Sequence, residues 1–253
     1  MISVIMGIHR FDEYVEDSII SILNQTYKEF EMIIVANGSE ASEVASAIQR
    51  LFPNEPRIKI LTSQIGQLSH ALNIGIDASA FEYIARMDSD DISHPERFQK
   101  QLDYLVKNNL DVVGCDINLI NENGEIIGTQ LYPKGSDINK KLTYKNCFAH
   151  NTVLMKKSFL LKVRGYNAGY NSEDYDLWLR MRRAGVSWDN MDEILLDYRI
   201  HESASQGRLL GYAEVSGYIL REFLLAKTLS NFIGVFINIG KALFKADRSK
   251  SSY

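Results

Sequence analysis

The chain has 253 residues, 45% hydrophobic and 24% charged, which suits a soluble globular protein of one large α/β domain or one domain with a small appendage. Its formal net charge of −4 excludes a general nucleic-acid binder, which needs a basic stripe. Cys115 and Cys147 form neither a disulfide framework nor a zinc-ligand spacing. No basic leader precedes the first strand, and no apolar run reaches the roughly eighteen residues that span a bilayer, so a reduced cytoplasmic protein is expected.

The first half alternates strand and helix. Ile2 to Met6 reads as a buried strand, and Asp12 is expected to cap a helix with Val15, Ile19, Ile22 and Leu23 on one face. Glu31 to Ala36 forms a second strand ending at the turn sequence Asn37-Gly38-Ser39. Val44, Ile48 and Leu51 line the next helix. Ile58 to Leu61 is a third strand, and Leu68, Leu72, Gly75 and Ile76 mark another helix. The fourth strand, Tyr83 to Met87, runs into Asp88-Ser89-Asp90-Asp91. Behind it Ser93-His94-Pro95-Glu96 has the form of a capping box, ahead of a helix with Phe98, Leu102, Leu105 and Val106 on its buried stripe. Such βα units predict a mostly parallel sheet whose loops at 7–10, 37–39 and 88–91 meet at one edge.

From residue 111 the pattern changes. Asp111 to Cys115 and Ile117 to Ile120 are strand-like, Asn123-Gly124 signals a hairpin, and residues 129–150 lack periodicity, as a loop facing a substrate does. Thr152 to Met155 is a strand followed by a helix to Val163. A Gly- and Tyr-rich turn, Gly165 to Tyr170, leads to a helix that begins at Glu173-Asp174 and buries Leu177, Trp178 and Met181. A last strand, Ile194 to Ile200, delivers Arg199 and His201. Beyond it Leu225, Leu229, Phe232, Phe236, Gly240 and Leu243 recur at helical spacing, with Lys227, Asn231, Asn238, Lys241, Lys245 and Arg248 between them. An amphipathic helix of this kind either lies in a membrane interface or packs its apolar face on the domain or a second subunit.

The acidic tetrad carries the most chemistry. Three carboxylates at the end of a buried strand repel one another and lose hydration, and a cation, or a cation carrying phosphates, relieves both. Open α/β sheets bind ligands at that end of their strands. Acids also gather in turns and helix first turns without any ligand, and Asp-x-Asp recurs at Asp174 and Asp176, so the triplet alone does not decide.

Further segments stand in order with it: Ser21-Ile22-Leu23-Asn24-Gln25-Thr26-Tyr27, Ala71-Leu72-Asn73-Ile74-Gly75, Pro95-Glu96-Arg97, Glu173-Asp174-Tyr175-Asp176-Leu177-Trp178 and Tyr198-Arg199-Ile200-His201. Together they resemble a family 2 glycosyltransferase over roughly residues 1–205. The resemblance implies the α/β GT-A fold: a mostly parallel, Rossmann-like sheet with helices on both faces, here with a C-terminal amphipathic helical tail. It implies a nucleotide-sugar half (1–110), an acceptor half (111–205) and a helical extension (206–253). The implied activity is inverting transfer of a hexose or N-acetylhexosamine from a nucleotide sugar to a saccharide hydroxyl, in bacterial surface-polysaccharide assembly. A lipid diphosphate is the kind of carrier such an acceptor uses.

By the same resemblance Asp90 binds Mn²⁺ or Mg²⁺ and His201 completes that site; Asp174 is the general base. His9, Asn37, Asn73, Arg86, Asp88, Ser89, Asp91 and Arg199 face the donor, and His150, Glu173 and Trp178 face the acceptor. Two departures stand out. His9 replaces the tyrosine that lies against the base, and Asn37 replaces the aspartate that accepts the uracil N3 proton, so UDP-sugar comes first while GDP- and dTDP-sugars stay open. A nucleotide-binding module without turnover and an Asp-x-Asp phosphotransferase remain the rival readings. A P-loop NTPase is excluded, because the chain has no Gly-x-x-x-x-Gly-Lys-Ser/Thr.

Overall fold

The computed structural model describes residues 1–167, 169, 171–200 and 209–249, and side chains other than those of 209 and 245–249. Among the described residues nine strands form one sheet: β1 (Ile2–Ile8), β2 (Phe30–Asn37), β3 (Ile58–Ser63), β4 (Tyr83–Arg86), β5 (Ile92–Ser93), β6 (Val112–Ile120), β7 (Ile126–Gln130), β8 (Leu154–Lys156) and β9 (Trp188–Arg199). Their order is β3-β2-β1-β4-β8-β6-β9-β5, with β7 paired to β6. β1 to β4 pair in parallel, β8 runs against both β4 and β6, and β9 lies parallel to β6. Six strands therefore share one direction, as the βα alternation predicts, and β5, β7 and β8 are reversed. The carboxyl ends of β1, β2, β4 and β9 open on the same edge. The Asn123-Gly124 hairpin forms as expected, with Gly124 at φ +81 in the turn between β6 and β7.

Side-chain alternation decides which helices cover which face. Ile2, Val4, Met6 and Ile8 pack with α1 (Val15–Leu23), α2 (Ala41–Leu51) and α4 (Arg97–Lys107). Ile5 and Ile84 join α3 (Leu68–Ala78), α6 (Lys157–Lys162) and α7 (Glu173–Arg183) in a second core on the other face. Gly75 lets α3 lie close on β1, since a Cβ there would meet Ile5 Cγ2 at 2.5 Å. Residues 129–150 are more ordered than their lack of periodicity suggests, for they hold the end of β7 and α5 (Ser136–Lys141).

Two expected helix caps are absent. Asp12 accepts the Tyr14 N–H (3.0 Å) in a turn before α1, which begins only at Val15. Ser93 belongs to β5, paired with Leu196, so Ser93-His94-Pro95-Glu96 is no capping box. The capping is long-range instead. Fully buried Gln25, just past α1, accepts the Phe98 N–H of α4 at 3.1 Å and donates to Ser93 Oγ (3.0 Å) and the His94 carbonyl (2.8 Å).

The C-terminal region is two helices, α8 (Leu209–Leu225) and α9 (Leu229–Ser249), where periodicity suggested one. Its orientation reverses the usual pattern. Asn231 and Asn238 are buried and donate to carbonyls, while Leu229, Phe232, Phe236, Leu243 and Phe244 point outward at 45–78% exposure. Among the described residues no helix is long and apolar enough to cross a membrane.

Candidate active site

The acidic loop is fixed from below and from both sides. At the end of β4 the buried Arg86 guanidinium donates to the Met87 carbonyl and to Asp88 Oδ1. Ser18 of α1 donates to the Asp88 carbonyl (2.8 Å). Asp91 is wholly buried; its carboxylate accepts the Arg199 N–H (2.9 Å) and the Asn151 side-chain amide. Burial, and then the charges of Asp90 and Asp88, push its pKa well above the ordinary carboxylate value. Fully buried Arg97 lies under the loop and donates to the carbonyls of Asn151 (2.8 Å) and Arg86 (3.3 Å).

One oxygen from each of Asp88, Asp90 and Asp91 falls within 4.8 Å of the others. Hard carboxylate oxygens in such a group fit a hard divalent cation such as Mg²⁺ or Mn²⁺. Both Asp91 oxygens are engaged by Arg199 and Asn151, and Asp88 Oδ1 by Arg86. His201 lies outside the described residues.

The second acidic group opens α7. Asp174 Oδ1 accepts the Tyr175 N–H and Oδ2 accepts the Asn146 side-chain amide, each at 2.6 Å. Burial raises the Asp174 pKa, and these hydrogen bonds oppose that rise. Beside it, burial and then the Asp174 charge push Glu173 up to about 7. An acid poised this way at a helix N-terminus, with its plane held by two donors, is equipped to take a proton from a hydroxyl.

The family model for glycosyl transferase family 2 matches residues 3–165, which contain the whole acidic loop and all of its supports named above but Arg199. The chain belongs to glycosyltransferase family 2. This glycosyltransferase is 51% identical to the O-antigen biosynthesis glycosyltransferase WbnJ of Escherichia coli, over 97% of each chain. It is 30% identical to the E. coli UDP-Gal:alpha-D-GlcNAc-diphosphoundecaprenol beta-1,3-galactosyltransferase, over 81% of this chain and 76% of the relative. Among solved structures, S. aureus TarS 1-349 in complex with UDP-GlcNAc matches with a TM-score of 0.68 at 15% identity, over 96% of this chain and 81% of that one. The fold is thus GT-A.

Several residues expected to meet ligands are occupied in the glycosyltransferase's scaffold. Trp178 is fully buried, its ring 5.0 Å from that of Phe148, so it is core and not an acceptor contact. Asn73 exchanges both amide bonds with the Tyr166 backbone (2.8 and 2.9 Å) and holds the turn where Gly165 takes φ +62. Asn37 is buried, and the amide orientation that satisfies both its polar atoms donates to the Ile8 carbonyl (3.1 Å) and accepts from the Gln67 N–H (3.2 Å), joining β1, β2 and the start of α3. Arg199 donates to the carbonyls of Asp90, Asn121 and Glu122 and covers the Tyr14 ring at 4.3 Å.

Others lie open or half-open. His9 is exposed at the end of β1 and Ser89 is half-buried in the loop. His150 is hydrogen-bonded to the Tyr166 hydroxyl (2.7 Å), and burial drives its pKa well below the ordinary histidine value. Arg97, Asn146 and Asn151 were not anticipated. Each acts through contacts distant in sequence, and only Arg97 lay in a recognised motif.

Proposed function

We propose that this enzyme is an inverting, metal-dependent transferase that moves a hexose or N-acetylhexosamine from a UDP-sugar to a saccharide hydroxyl in surface-polysaccharide assembly. The observation that carries the reading is the trio of carboxylate oxygens within 4.8 Å at the carboxyl end of β4, on the sheet edge where this fold class binds ligands. Asp90, with Asp88 and His201, is the candidate set for Mn²⁺ or Mg²⁺; such an ion neutralises charge developing on a departing diphosphate. His9 and Ser89 are the donor-side contacts, and Arg86 orients Asp88. Asp174 takes the acceptor hydroxyl proton, with Glu173 and His150 toward the acceptor. Attack opposite the diphosphate inverts the anomeric centre.

The relatives' names support the substrate classes: one acts in O-antigen biosynthesis, another on a sugar carried by diphosphoundecaprenol, and the solved TarS complexes hold UDP and UDP-GlcNAc. A lipid-borne acceptor also suits the outer face of α9. Its exposed apolar side chains, in a tail whose sequence is basic at Lys227, Lys245, Arg248 and Lys250, fit an anionic bilayer surface as the occupant. A panel of nucleotide sugars with Mn²⁺, read by nucleotide release with and without saccharide acceptor, tests the reading. UDP-sugar turnover that requires the metal supports it, and metal-independent turnover refutes the metal role.

A further inference from the structure

Asn146 belongs to no motif, yet it reaches the carboxylate of Asp174 from 28 residues away in sequence. Its own Oδ1 accepts the Phe148 N–H at 3.3 Å, which turns the amide nitrogen toward Asp174. The segment that carries it, residues 142–148, leaves α5 as a turn, continues without regular structure and is also held from outside. The Tyr175 hydroxyl donates to the Leu142 carbonyl. Asn190 Nδ2 donates to the Cys147 carbonyl at 2.9 Å.

Between those anchors Arg182 of α7 donates to Thr143 Oγ1 at 3.0 Å, and α9 holds the backbone. Asn238 Nδ2 donates to the Thr143 carbonyl at 3.1 Å, Lys241 Nζ donates to the Tyr144 carbonyl, and the Tyr144 hydroxyl bonds Ser230 Oγ at 2.9 Å. Gly234 permits the approach, since a Cβ there would sit 2.5 Å from Thr143 Cγ2. These contacts explain why α9 turns Asn238 inward.

We propose that Asn146 is a positioning residue for Asp174, and that α9 keeps it in place by holding the Thr143 and Tyr144 carbonyls. The inference rests on Asp174 being the base. A base needs one carboxylate oxygen aimed at the incoming hydroxyl, and a donor on each oxygen fixes the plane. The titratable groups that act on Asp174 are Glu173 and Tyr175 of its own helix, Asp88 of the acidic loop, Tyr132 beyond β7 and Tyr166 of the turn before α7. All of them oppose its negative charge when ionised. Asn146 is a neutral donor that favours the ionised carboxylate.

The experiment measures transfer by the full-length enzyme with UDP-sugar, Mn²⁺ and acceptor, as kcat and donor KM across pH. For Asn146→Ala, kcat falls on the order of 10–100-fold, donor KM stays within about twofold, and the acidic limb of kcat moves to higher pH. Asn238→Leu shifts that limb the same way with a smaller loss. The double variant is no worse than Asn146→Ala, because both act on one contact. A parental kcat and limb in Asn146→Ala overturns the positioning role. A lower melting temperature in Asn238→Leu without a moved limb, or losses that multiply in the double variant, overturns the part given to α9. Asp174→Asn is run in parallel: parental transfer there defeats the base assignment itself, whereas its loss beside an unaffected Asn146→Ala defeats only the present inference.

Discussion

The carboxylate of Asp91 accepts the backbone N–H of Arg199 at 2.9 Å, which fastens the end of β9 to the acidic loop 108 residues earlier. The same arginine sends its guanidinium to the Asp90, Asn121 and Glu122 carbonyls. Arg199 is thereby a strut between the loop and the β6–β7 hairpin, 5% exposed.

Arg199→Ala is therefore expected to lower unfolding stability by about 1–3 kcal/mol, as three part-buried carbonyls lose a charged donor. Arg199→Lys recovers little, because one ammonium cannot reproduce the planar fork. Urea denaturation checks this. Unchanged stability with weakened UDP binding would restore Arg199 to the donor site.

Glu173 gives a pH signature. Burial and the neighbouring Asp174 push it up to about 7 from an ordinary 4.5, so the folded protein keeps a proton that the unfolded chain releases earlier. Its contribution is full below pH 4.5 and is lost as pH rises through about 7. Glu173→Gln removes that loss: the variant should be more stable than the parent at pH 8, with no such gain at pH 4.5. Denaturation at both pH values decides it, and an equal effect at each would contradict the assignment.

How far the sequence was legible depended on the range of the contacts. β1 to β4, the acidic loop and the Asn123-Gly124 turn follow from short apolar runs and turn chemistry, which are local. The capping box at Ser93 failed because Gln25 reaches α4 across 73 positions and no local pattern encodes that. Trp178 misled in a different way: the helical stripe marks it as buried, correctly, while the resemblance assigned it to an acceptor. Asn231 and Asn238 stand seven apart, two turns of one helix face, yet polar residues on an amphipathic helix are expected outward. Only the carbonyls of Thr143, Glu222 and Ala226 show why they turn in.

That inversion separates membrane contact from folding. Replacing Phe232, Phe236 and Leu243 with serine should abolish binding to anionic liposomes and leave the melting temperature nearly unchanged, because these side chains are 45–67% exposed. Each large apolar group seated in lipid is worth about 1.5–3 kcal/mol, so three suffice for a readable loss. Flotation that persists in the triple variant would place the lipid contact elsewhere.

The account turns most directly on Asp174→Asn, assayed in a single turnover with UDP-sugar, Mn²⁺ and acceptor. The predicted result is donor binding within about twofold of the parent and transfer reduced on the order of 10²–10⁴-fold, the usual worth of a general base. Transfer at the parental rate would contradict it.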